Sequence, residues 1–253
     1  MSELLGWIAL PGAADWVAPL LCLTGLLTAT ITAAIGAGGG LLLLAVMTMF
    51  LPVAVTIPLH GVVQLGAAVS RTALNPSQVR PGIVIAFAVG AVLGAGAGSQ
   101  VLVRLPEDAM QAILGVFILV LAWLRVPALR ARGSTMLVTG GAAVTTFLTL
   151  FVGATGPLVA AVLHALRLDR FAQVGTFSAC MILQHGCKIG VFVIAGFAFA
   201  PYLPFLVAML LCGLAGSWLG HHILLRIDDR RFHIGLSVVL TLMALRLLYT
   251  GLR

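Results

Sequence analysis

Apolar residues fill this chain in blocks much longer than a soluble core helix needs, separated by short breaks marked by arginine, proline or glycine. No Asp, Glu, Lys or Arg interrupts residues 17 to 70, and Lys188 alone interrupts residues 171 to 225. Such uncharged runs predict membrane helices. Dividing them at the breaks predicts helical pieces at roughly 17–35, 40–51, 54–76, 81–104 and 109–125, then 135–152, 157–166, 171–199, 202–226 and 230–250. The second piece of each set is short. At about 1.5 Å per residue, Gly40 to Leu51 covers about 18 Å and Pro157 to Leu166 about 15 Å, against an apolar bilayer interior of about 30 Å. Each is predicted to stop near mid-membrane.

The two sets are related by sequence. Shifting the chain by 117 residues lays "IGAGGGLLLL" on "VGATGPLVAA", pairing Gly36 with Gly153 and Gly39 with Gly156. A shift of 122 lays "GAVLGAGAGSQVLVRLPED" on "CGLAGSWLGHHILLRIDDR", pairing Gly94 with Gly216 and Gly98 with Gly220. The chain therefore reads as one transmembrane domain over 1–253, with one repeat at about 17–125 and a second at about 135–250.

Arginine placement changes the picture from a repeat to an inverted repeat. Arg71 and Arg80 follow the third piece and Arg125, Arg130 and Arg132 the fifth. In the second set Arg167 and Arg170 precede the third piece, and Arg226, Arg230 and Arg231 follow the fourth. Because basic loops stay cytoplasmic, the second set is predicted upside down relative to the first, with both termini facing outward. Inverted repeats with helices broken at mid-depth are a transporter architecture.

Composition agrees with the pattern. The 253 residues are 61% hydrophobic and 8% charged, and the mean hydropathy is +1.17, which excludes an ordinary soluble domain. The net charge of +7 is a topology signal here and does not indicate nucleic acid. The first residues carry Glu3 and Asp15 but no Lys or Arg, so they lack the basic start of a cleaved signal peptide and are expected to stay attached. Cys22, Cys180, Cys187 and Cys212 lie in apolar segments without C-x-x-C or metal-ligand spacing, so no metal or cofactor is expected. No G-x-S-x-G or H-E-x-x-H motif points to an enzyme. The competing reading is a transmembrane thiol-disulfide electron carrier using helix cysteines, with Cys180 and Cys187 seven apart.

Candidate chemistry collects at the glycine breaks. A half-helix starting near Gly40 would aim free N–H groups and the positive end of its dipole at mid-membrane, and glycines would let an anion approach the backbone. "GATGPL" offers the same device, with Thr155 or Gly156 as N-cap and Pro157 in the first turn. The bland reading of the first stretch is that Gly36 and Gly40 form a G-x-x-x-G packing face, which is the expected role of Gly94 with Gly98 and of Gly216 with Gly220.

The 117-residue register also pairs Lys188 with Arg71, giving equivalent cations to both third helices. Intramembrane cations are costly and usually functional. His60, Gln64 and Arg71 share helical spacing, as do Thr176, Cys180, Gln184 and Lys188, with His185 alongside. All seven acids lie in loops or tails, which excludes a cation site of buried carboxylates. For proton coupling, His60 and His185 are the available carriers. A small anionic substrate is expected; oligomeric state is left open.

At these residues the chain resembles the TauE/SafE family of sulfite exporters, whose halves each open a short apolar segment with a glycine-rich "G-x-G-G-G". "GAGGGLLLL" fits that pattern, while "GATGPLVAA" departs from it at Thr155. The resemblance spans roughly residues 17 to 250. It implies a multi-pass permease of the bacterial inner membrane moving sulfite, thiosulfate, sulfoacetate or related small sulfur-containing or organic anions. The family pattern carries to Gly36, Gly38, Gly39, Gly40, Gly153, Gly156 and Pro157; Arg71 and Lys188 rest on the charge argument.

Overall fold

The computed structural model describes residues 8–35, 38–74, 76–102, 106–123 and 135–223, with 241–242, 244–246 and 248–249 further on. Among these residues the fold is all-α. Its helices are α1 Val17–Ile35, α2 Gly39–Met47, α3 Val53–Leu74, α4 Pro81–Leu102, α5 Glu107–Trp123, α6 Thr135–Val152, α7 Gly156–His164, α8 Arg170–Ile194 and α9 Leu203–Ile223. Five are long and apolar enough to cross a membrane: α3, α4, α6, α8 and α9. The molecule is a multi-pass membrane protein.

The hydropathy pattern predicts these elements closely, including the two short ones. At nine residues each, α2 and α7 are about 14 Å long, half a membrane thickness. The third piece of the second set ends five residues earlier than the pattern suggests. Its terminator is local: Gly196 at φ 88 takes the left-handed turn, its N–H donates to the Val193 carbonyl, and the Phe197 N–H donates to the Phe192 carbonyl. The Phe192 and Phe197 rings, 6.4 Å apart, complete the contact across this stop. The expected last helix at 230–250 falls largely outside the described residues.

Packing follows small residues. On α4, a Cβ at Gly90 or Gly94 would collide with the α6 backbone carbonyls of Thr139 and Ala143, and one at Gly98 would lie 2.5 Å from Leu150 Cδ1. On α9, the same holds for Gly216 against the Leu26 carbonyl and Gly220 against the Thr30 carbonyl of α1. These glycines allow helix axes to approach with little side chain between them. Each half thus lays its fourth helix on the first helix of the other half, while α3 and α8 contact each other at the centre.

The outer faces are apolar. Leu20, Leu23 and Leu27 on α1, Ile85, Val89 and Val92 on α4, and Leu203, Val207, Leu211, Leu214 and Trp218 on α9 are exposed in stripes of helical spacing. Such faces suit lipid contact.

Candidate functional site

Both half-helices begin at breaks that their sequences require. Gly38, the residue before α2, sits at φ 99, a conformation that strains any residue with a Cβ. Before α7, Gly153 at φ 70 turns the chain, Thr155 is the N-cap, and Pro157 stands in the first turn, where its missing N–H breaks no helical bond.

The two N-termini open on one cavity of about 40 Å³, room for about three waters. Gly38 and Gly40 line it from α2, and Gly156 and Pro157 from α7. His60, Gln64 and Arg71 contribute from α3, His185 from α8. The remaining wall comes from Thr32, Leu41, Ala154, Phe177 and Met181.

Within this cavity His60 Nε2 donates to the Gly40 carbonyl at 2.8 Å, and Gln64 Nε2 lies 3.3 Å from the same ring nitrogen. The His60 and His185 rings meet edge to face, centroids 6.4 Å apart. Arg71 is 8% exposed, yet its Nε and Nη1 have no hydrogen-bond partner, and neither has His185 Nδ1. A buried guanidinium without acceptors is costly, so an anionic or oxygen-bearing ligand would relieve it. Among the described residues no carboxylate lines the cavity, and the ion pair of Arg80 with Asp169, at 3.6 Å, joins two exposed side chains.

Other residues singled out from the sequence stand behind this wall. Lys188 is fully buried and its Nζ donates to the Gly153 carbonyl at 2.9 Å. The Thr155 hydroxyl lies 3.1 Å from both the Thr145 carbonyl and Gln184 Oε1, sharing its one proton between them. Gln184 Nε2 in turn donates to Thr146 Oγ1 at 3.4 Å. Thr176 Oγ1 is elsewhere, accepting the Arg80 backbone N–H at 3.1 Å. Gly39 faces α1, where a Cβ would collide with the Thr28 carbonyl and Thr32 Oγ1. Gly36 lies outside the described residues.

Phe177 and Met181 were not singled out from the sequence, although a signal for them was present. The 117-residue register places Phe177 on His60 and Met181 on Gln64, so equivalent positions of the two third helices face the same space, polar from α3 and apolar from α8.

The four cysteines are free thiols. Cys180 and Cys187 belong to the apolar packing around α4 and α6. No three His, Cys, Asp or Glu side chains among the described residues converge to hold a metal ion.

The family model described as sulfite exporter TauE/SafE matches residues 21–247. No curated protein and no solved structure matches the chain. The matched span covers both broken helices, both third helices and the cavity they enclose. The chain belongs to the TauE/SafE sulfite exporter family and is, at that level, a membrane transporter of sulfite-like anions.

Proposed function

We propose that this protein carries a small sulfur-containing or organic anion, such as sulfite, thiosulfate or sulfoacetate, across the bacterial inner membrane by alternating access. The observation that carries the reading is Arg71, buried and without acceptors beside a cavity on which two half-helix N-termini open. Helix N–H groups and the dipole favour an oxyanion there, and the guanidinium supplies the opposite charge. His60, Gln64 and His185 complete the polar side, and Lys188 adds positive charge from behind the second break. His60 and His185, in edge-to-face contact, are the groups through which a proton could be coupled to the anion.

Alternating access requires two related halves that rock about a central site. The reciprocal pairing of α4 with α6 and α9 with α1 supports such a relation, and the arginine pattern supports its inversion, with both termini outward.

The test is uptake of labelled sulfite, thiosulfate, sulfoacetate and acetate into proteoliposomes, with and without a pH gradient. Saturable uptake of at least one anion is expected, with a strongly raised KM in Arg71→Met. Folded protein that moves none of them above the level of empty liposomes, or an Arg71→Met protein with wild-type kinetics, would overturn the proposal.

A further inference from the structure

The two cations that the repeat register makes equivalent do different things. Arg71 faces the cavity with unpartnered nitrogens, whereas Lys188, at the matching position of α8, is bonded to backbone. The acceptor is the carbonyl of Gly153, the residue that turns the chain between α6 and α7. The same carbonyl also accepts from Thr149 Oγ1 at 3.3 Å. Carbonyls at a helix C-terminus carry the negative end of the dipole and lack intrahelical donors, so an ammonium group is well matched to this one.

The route of the lysine side chain is also built in. Lys188 crosses α3 at Gly61, where a Cβ would lie 2.6 Å from Lys188 Cε and 3.4 Å from Nζ. Gly61 is therefore a notch through which the stem reaches Gly153. Three residues beyond that carbonyl, α7 begins and its first residue, Gly156, lines the cavity.

We propose that Lys188 is a positioning residue: threaded through the Gly61 notch, it ties the α6–α7 break so that the α7 N-terminus faces the cavity, leaving Arg71 as the cation that meets the anion. The functional consequence rests on the anion-transport reading above, whereas the tie itself can be tested without any substrate.

The experiment is hydrogen–deuterium exchange of the protein in nanodiscs, read on peptides covering residues 153–158. Lys188→Met should speed exchange there about tenfold or more, because hydrogen bonds to charged groups are worth more than neutral ones. Lys188→Arg should restore much of the protection. Gly61→Ala keeps the charge but obstructs the stem, and should mimic Lys188→Met. The double variant should be little worse than either single one, since both break one tie. Arg71→Met should leave this segment as protected as in the wild type.

Unchanged exchange in Lys188→Met would overturn the proposal, and so would equal loosening in Arg71→Met. If Lys188→Met cannot be purified, Gly61→Ala decides: wild-type protection in that variant also overturns it. Where the protein transports, the Lys188 and Gly61 variants should show a shared fall in maximal rate, and Arg71→Met chiefly a raised KM. Failure to transport any anion would remove the permease reading and leave the exchange result standing.

Discussion

Gly156→Ala separates a glycine that admits a ligand from one that admits a helix. Its added Cβ would meet only Phe177 Cζ, at 3.7 Å, an ordinary contact. The backbone there is helical with negative φ, so alanine fits and should stabilise the protein by about 0.4–1 kcal/mol through the unfolded chain. The methyl group enters a cavity of about 40 Å³ and fills a space near that of one water, roughly a third of what is present. An anion held by backbone amides needs close approach, so its affinity should fall about tenfold or more, or about 1.4 kcal/mol. Gly39→Ala is the contrast, because its Cβ would strike the Thr28 carbonyl and Thr32 Oγ1 of α1. That change should lower stability by about 1–3 kcal/mol, the usual cost of overpacking. The assay pairs thermal unfolding in detergent with KM for sulfite in proteoliposomes. Wild-type KM in a stable Gly156→Ala protein would refute the reasoning and remove the α7 N-terminus from the site.

Other expectations follow from single features. Arg71→Lys should keep part of the affinity and Arg71→Met almost none, since lysine retains the charge without the fork of donors; KM values across the three proteins check this. Gln64→Ala vacates the space beside Gly40, whose Cβ would lie 2.6 Å from Gln64 Nε2, so Gly40→Ala should be better tolerated with Gln64→Ala than alone, as measured by melting temperature. Impermeant maleimide applied from the periplasm should label Ala198→Cys and spare Ser77→Cys if the inverted arginine pattern sets the topology; the reverse result would turn the molecule over. Asp169 caps α8, and the Ala172 N–H, with the Arg80 guanidinium after it, holds its carboxyl below the usual carboxylate range. A lowered folded value means that this contribution is present at neutral pH and lost as pH falls below about 4, so Asp169→Asn, which can still cap, should flatten that acid-side loss in a pH series of melting temperatures.

The helices were legible because a bilayer imposes a length and an apolarity that few other settings demand. The short pieces at Gly39–Met47 and Gly156–His164 were legible because glycine, threonine and proline mark their starts. The site was less so. Arg71, His60, Gln64 and His185 could be named from polarity alone, because any polar group in an apolar run stands out. Polarity does not mark Phe177 and Met181, since an apolar wall looks like any other packing face; only their register with His60 and Gln64 points to them. Gly39 and Gly156 have the same register position and opposite surroundings. That difference is set by what the neighbouring helix presents, which no local pattern contains. Thr176 shows the same limit: its helical spacing with Gln184 and Lys188 placed it with the stripe, and a loop amide claims its oxygen.

The crossed pairing of α4 with α6 and α9 with α1 has a consequence for biosynthesis. The face of α1 that carries Leu26, Ala29, Thr30 and Ala33 receives its partner glycines, Gly216 and Gly220, only when α9 arrives. During synthesis, α1 enters the membrane well before that partner exists. Its small-residue face must meanwhile be covered by lipid, by the insertion machinery or by another nascent helix. A chain stopped after α5 would leave the glycine face of α4 bare as well. Neither half is then a finished product, and quality control that recognises uncovered small-residue faces could tell a truncated chain from a complete one before any transport takes place.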